Sequence, residues 1–140
     1  ILKGRYFDMA EGDYVREEVR TQRDILKTRR ALYTRAHPAI DPAGRLVIIV
    51  DDGVATGSSM VSAVHAVRAK HPRRIVIAIA VAPASALARM RAEADDVVCL
   101  HAADDFMAVG QYFEDFSEVT DEMVVETLAR HRRPPPPAPA

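Results

Sequence analysis

The chain has 140 residues, 49% of them apolar and 28% charged, with a net charge of −1. That is enough to bury a globular core, and the near-neutral balance gives no general attraction for nucleic acid or an anionic membrane. No run approaches the roughly 18 apolar residues of a membrane-spanning helix, and the single cysteine, Cys99, excludes an internal disulfide framework.

In chain order, Ile1 to Ala10 is a short mixed segment that reads as a strand remnant, with Lys3, Arg5 and Asp8 in place of a signal-peptide pattern. Residues 11–36 hold no proline and only Gly12, and predict one long charged helix with Asp13 as its N-cap. Its apolar positions, Val15, Val19, Ile25, Leu26, Leu32 and Tyr33, form a narrow stripe. This suits a solvated helix on one face of the domain, or a helix that packs against a partner subunit. His37 to Gly44 carries Pro38, Asp41, Pro42 and Gly44 and predicts a turn-rich connection.

A βαβαβ core is expected over residues 45–100. Strands are predicted over Arg45–Val50, Arg74–Val81 and Asp96–Leu100, each an apolar run without polar alternation. Ser58–Lys70 and Ala84–Ala94 read as the helices between them, the first burying Met60, Val61, Ala63, Val64 and Val67. The order implies an α/β fold with a parallel sheet, flanking helices and right-handed crossovers, its strands buried on both faces. Cys99 lies inside Val97–Leu100 and is expected to be a core thiol rather than a catalytic one. Residues 101–117 form a loop rich in aromatics, and 120–132 a last helix capped by Thr120 or Asp121. The proline-rich tail, 133–140, is expected to be disordered, so that the domain proper is 1–132. The five histidines are scattered without metal-ligand spacing.

The stretch Leu46 to Met60, LVIIVDDGVATGSSM, carries the chemistry. An apolar strand ends in Asp51 and Asp52, and a loop of Gly53, Val54, Ala55, Thr56, Gly57, Ser58 and Ser59 leads into a helix. Ligands of open parallel sheets sit at the carboxyl ends of the strands. A helix start lined by small hydroxylic residues attracts an anion, most often phosphate. The acids suit hydroxyls or a divalent metal at the other end of the same ligand. A purely structural pair that caps the next helix is the plainest alternative, although one aspartate would suffice for that. A phospho-acceptor receiver domain also begins with an acidic pair, but needs an acid at the end of its next strand, where this chain has Ala80-Val81-Ala82-Pro83. A dinucleotide-binding domain wants GxGxxG directly after the strand, which Gly53 and Gly57 do not provide.

The pattern Val47–Val50, Asp51-Asp52, Ala55-Thr56-Gly57-Ser58-Ser59 closely resembles the phosphoribosyl-diphosphate motif of the type I phosphoribosyltransferases. Over Glu11 to Arg132 the chain is similar to a bacterial group of that family. The likeness is carried by Arg29-Arg30-Ala31-Leu32-Tyr33, Ala80-Val81-Ala82-Pro83, Ala94–Leu100, Val109–Phe116 and Val119–Val124. The resemblance implies a Rossmann-like parallel sheet and a cytoplasmic enzyme. It would bind phosphoribosyl diphosphate with Mg2+ and transfer ribose 5-phosphate to a small nitrogen acceptor such as a nucleobase. Asp51 and Asp52 would be the catalytic acids, engaging the ribose hydroxyls partly through the metal, and Gly53–Ser59 would wrap the 5′-phosphate. Ala55 stands where the 6-oxopurine enzymes carry an acid, which argues against those acceptors. Phe106 and Tyr112 would stack on the acceptor, with Glu114 or Asp115 making the polar contact, and a homodimer is a further expectation. The family's basic-Gly pyrophosphate loop has no counterpart here; Lys3-Gly4-Arg5 lacks a preceding strand. The chain therefore reads as an N-terminally shortened member. A non-catalytic phosphoribosyl- or nucleotide-binding module with a sensing or assembly role is the alternative.

Overall fold

The computed structural model describes residues 12–36 and 38–131. The expected strand remnant at Ile1–Ala10 and the proline-rich tail lie outside the described residues. The chain forms two compact units, one holding the long first helix and the last helix, the other spanning Asp41–Ser117.

In the first unit, α1 runs over Gly12–Ala36 and α4 over Asp121–Arg130. Asp13 lies inside α1 rather than at its cap. α1 is solvated along most of its length: Val19, Ile25, Leu26 and Leu32 are all exposed. Its contact with α4 is polar, with Tyr33 Oη donating to Asp121 at 2.5 Å and Arg29 3.2 Å from the same carboxylate. That one arrangement raises the Tyr33 phenol pKa and lowers that of Asp121, with the shared hydrogen bond the largest cause in both. Asp121 is thereby engaged, and Thr120 caps α4 by accepting from the Met123 amide.

The second unit is a parallel sheet in the order β1 (Leu46–Gly53), β2 (Arg74–Pro83), β3 (Asp96–Ala103). α2 (Ser58–Arg68) and α3 (Ala84–Arg91) are the crossovers. Every strand runs two or three residues past its expected end, so Asp51, Asp52 and Gly53 still belong to β1. Register pairs Ile49 with Ile77 and Ile77 with Val97. Ile75, Ile77 and Ile79 pack against Met60 and Val64 of α2 and Ala86, Leu87 and Met90 of α3. Val61, Ala63 and Val67 are half-buried, and Cys99 is a half-buried thiol at the margin of this core.

Burial on both faces is not what the structure shows. On β1, Ile48 and Val50 are exposed, as are Val98 and Leu100 on β3; Val50 keeps 74% and Leu100 82% of its accessible surface. The reason is topological. With strand order 1-2-3, both right-handed crossovers wind the same way and place both helices on one face. Covering the other face takes a reversal of winding, and these three strands contain none.

Asp95 joins the bottom of this layer. Its carboxylate accepts from the Ile75 amide at 2.7 Å and from Arg68 at 3.0 Å, while Arg68 also donates to the Glu93 carbonyl. These bonds connect the end of α2 to the start of β2 and hold the Asp95 carboxyl below its ordinary pKa.

Candidate functional site

At the carboxyl end of the sheet, β1 delivers two acids and then turns. Successive residues of a strand project to opposite faces, so Asp51 shares its face with Ile49 and Asp52 takes the other. The Asp52 amide donates to Asp51 Oδ1 at 3.0 Å. Partial burial raises the Asp51 pKa, the Asp52 amide opposes it, and the neighbouring Asp52 charge adds to the rise. Asp51 and Gly53 through Met60 line a concavity of about 170 Å³.

Val54 drops into the core and its amide donates to the Val81 carbonyl, which pins the start of the loop to β2. Gly57 has φ +79°, a left-handed conformation that glycine adopts without strain, and it is the N-cap of α2. No side chain caps this helix. Its first amides lack intrahelical partners; that of Ser58 makes a long bond to Thr56 Oγ1 at 3.5 Å, and with the helix dipole this end of α2 favours an anion. Thr56 Oγ1 donates to Ser58 Oγ at 3.3 Å, so two loop hydroxyls stand side by side. Among the described residues no group of three or more His, Cys, Asp or Glu side chains is placed to hold a metal ion. A magnesium ion here would have to take its remaining ligands from water and substrate, as such ions commonly do.

Gly53 is where the acidic strand meets the downstream loop. A side chain there would begin 2.6 Å from Val109 Cγ1 and 2.9 Å from Val81 Cγ1. Val109 opens a short 3-10 turn, Val109–Tyr112, which is thus seated against the end of β1. The residues singled out in this segment are largely engaged with one another. Phe106 and Tyr112 stack with ring centroids 5.9 Å apart, Tyr112 also meets His101, and its hydroxyl donates to Asp105 at 3.3 Å. Asp115 accepts from the Ser117 amide at 2.9 Å, which closes a local turn and lowers its pKa. Glu114 is exposed.

Two participants were not singled out individually as site residues from the sequence. Val109 carries no chemistry, and only its seat on Gly53 reveals it. Arg89, from α3, donates through Nη1 to the Thr56 carbonyl at 3.2 Å and to Ser58 Oγ at 3.3 Å. Within ASALARMR it is one of two arginines, and nothing in helical periodicity distinguishes it from Arg91.

Comparison with known proteins bears on this arrangement. The family model described as phosphoribosyl transferase domain matches residues 1–116. The chain belongs to the phosphoribosyl transferase domain family. Two Mycobacterium tuberculosis proteins, from strains CDC 1551 and H37Rv and each named "Putative phosphoribosyl transferase", are 35% identical over 133 residues. The match takes in 95% of this chain but 29% of theirs. A crystal structure of TT1426 from Thermus thermophilus superposes with a TM-score of 0.76 at 43% identity, over 91% of this chain and 61% of that one. This phosphoribosyl transferase domain thus corresponds to a part of each longer relative, and its α/β architecture is that of the family.

Proposed function

We propose that this domain binds phosphoribosyl diphosphate at the Asp51–Ser59 concavity, with Mg2+, and serves transfer of ribose 5-phosphate to a nitrogen acceptor of the nucleobase class. One observation carries the reading: Asp51, the first of two adjacent acids near the end of β1, lines a single concavity with a helix N-terminus that no side chain caps and that a left-handed glycine opens, while Asp52 lies beside it on the other face of the strand. The acids suit the ribose hydroxyls and the helix start suits the phosphate. The two ends of one sugar phosphate match the two ends of one loop.

In this reading Asp51 and Asp52 accept hydrogen bonds from the ribose hydroxyls and are the residues that would hold the magnesium. Bound magnesium supplies charge neutralisation for the departing pyrophosphate. The acceptor nitrogen forms a bond to the anomeric carbon as the bond from that carbon to the pyrophosphate oxygen breaks. The two carboxylates favour the positive charge that develops on the sugar between those events. Thr56, Ser58 and Ser59 hold the 5′-phosphate with hydroxyls and backbone amides, and Ala55 leaves that edge of the site without an acid. Phe106, Tyr112 and Asp115, in the loop seated on Gly53, form the acceptor side; a base stacks there once the Phe106–Tyr112 pair opens or is extended. A homodimer and a cytoplasmic setting belong to the same proposal.

Calorimetric titration with phosphoribosyl diphosphate and Mg2+ tests it. Losing a hydrogen bond to a charged group costs about 1.5–3 kcal/mol, so Asp51→Asn and Asp52→Asn each weaken binding by about 10- to 100-fold. No heat from the unmutated chain, or an affinity in both variants equal to that of the unmutated chain, overturns the reading. Binding without pyrophosphate release in the presence of nucleobases would support the non-catalytic module instead.

A further inference from the structure

The loop from Asp51 to Met60 contains two acids and no lysine or arginine. If it holds a phosphate, the offsetting cation comes from elsewhere in the fold. Arg29, Arg68 and Arg74 each face a carboxylate. Arg89 faces none among the described residues; its Nη1 is turned to the Thr56 carbonyl and the Ser58 hydroxyl. It does not line the concavity. Its Cδ is 3.6 Å from where a Gly57 side chain would begin, so the aliphatic stem supports the left-handed residue on the α3 side.

Ser58 shows what this does to the loop. A hydroxyl has one proton and two acceptor lone pairs. Ser58 Oγ receives Arg89 at 3.3 Å and Thr56 Oγ1 at 3.3 Å, which occupies both lone pairs. Its proton is then the remaining hydrogen-bonding capacity, and Ser58 lines the concavity. The guanidinium charge also polarises the hydroxyl, which strengthens its donation to an anion.

We propose that Arg89 is a positioning residue for the phosphate end of this site: it fixes the Thr56–Ser58 turn, commits the Ser58 hydroxyl to donating into the concavity, and brings its charge to bear on the anion through that polarised hydroxyl. The ligand class is a sugar phosphate monoester, and the inference rests on the proposed reading of the loop. Arg89 touches the protein, not the ligand. Its effect is therefore expected to pass through Ser58, which distinguishes it from a general electrostatic or folding contribution.

The test is a double-mutant cycle read by calorimetry with ribose 5-phosphate, with melting curves run alongside. Arg89→Met and Ser58→Ala are each expected to weaken binding about tenfold, in keeping with the loss of one charge-assisted hydrogen bond. The double variant is expected to be little weaker than either single one. Arg89→Lys, which keeps the charge and a donor, is expected to stay within about threefold of the unmutated chain. If Arg89→Met loses its melting transition, Arg89→Gln takes its place in the cycle. Unchanged affinity in the Arg89 variants, or effects that multiply fully in the double variant, overturns the role of Arg89 and leaves the phosphate reading standing. Failure of the unmutated chain to bind ribose 5-phosphate overturns both.

Discussion

At the scale of single residues, backbone conformation and close approach decide more than side-chain chemistry. Gly57 is in the loop because φ +79° suits glycine and lets the chain enter α2 with its amides outward. Gly53 is there for space, since Val81 and Val109 occupy the volume of any side chain. Both valines are β-branched and stiff, so neither gives way easily. Gly53→Ala is expected to destabilise the domain by about 1–3 kcal/mol, the usual range for an overpacked site, by moving Val109 and its turn. Chemical denaturation measures this; a midpoint within error of the unmutated chain would show that the Val109 turn is not seated on β1 in solution.

Titratable residues at this scale divide by sign. Asp95 has a lowered pKa, first through the Ile75 amide, so it contributes stability above the ordinary carboxylate range. That contribution is lost as the pH falls through the folded-state value. Asp51 is opposite: burial raises its pKa, so ionisation of this group works against the fold as pH rises. Melting temperatures between roughly pH 6 and pH 2 are expected to fall less steeply in Asp95→Asn than in the unmutated chain. Asp51→Asn is expected to melt at or above the unmutated temperature at neutral pH. An identical acid-side slope in Asp95→Asn, or a lower neutral melting temperature in Asp51→Asn, contradicts the respective assignment.

At the scale of elements, the sheet has one packed and one open face. Ile77 is fully buried between β1, β3 and the two crossover helices, whereas Leu100, three residues after its partner Val97, keeps 82% of its surface. Removing a buried isoleucine side chain costs about 2–5 kcal/mol, so Ile77→Ala is expected to unfold much of the population under mild conditions. Leu100→Ala is expected to change stability by about 0.5 kcal/mol or less. Denaturation midpoints check the contrast; a large loss in Leu100→Ala would mean that the open face is covered in solution. Contiguous exposed apolar surface of this kind marks interaction surfaces in general, and here it follows from two crossovers wound in the same direction.

At the scale of the whole molecule, this chain corresponds to 61% of the Thermus thermophilus structure and 29% of the Mycobacterium tuberculosis proteins. The match of the family model over residues 1–116 places the domain, and the acceptor side proposed for Phe106 and Tyr112 lies inside that range.

The sequence by itself determined the order of elements, the parallel sheet, the family and the position of the acidic loop. These follow from local signals: uninterrupted β-branched runs, helix starts after small residues, and a motif contiguous in the chain. Only the tertiary structure decided which face of the sheet is buried, because burial depends on the direction in which the crossovers wind, and composition does not encode it. The same holds for contacts across long sequence separations. Arg89 meets Thr56 and Ser58 more than thirty residues away, and Val109 meets Gly53 across β2 and β3. Tyr33 takes the carboxylate of Asp121 while Thr120 is left to cap the helix. Each of these is a meeting of side chains with no shared periodicity, so their partners exist only once the chain has folded.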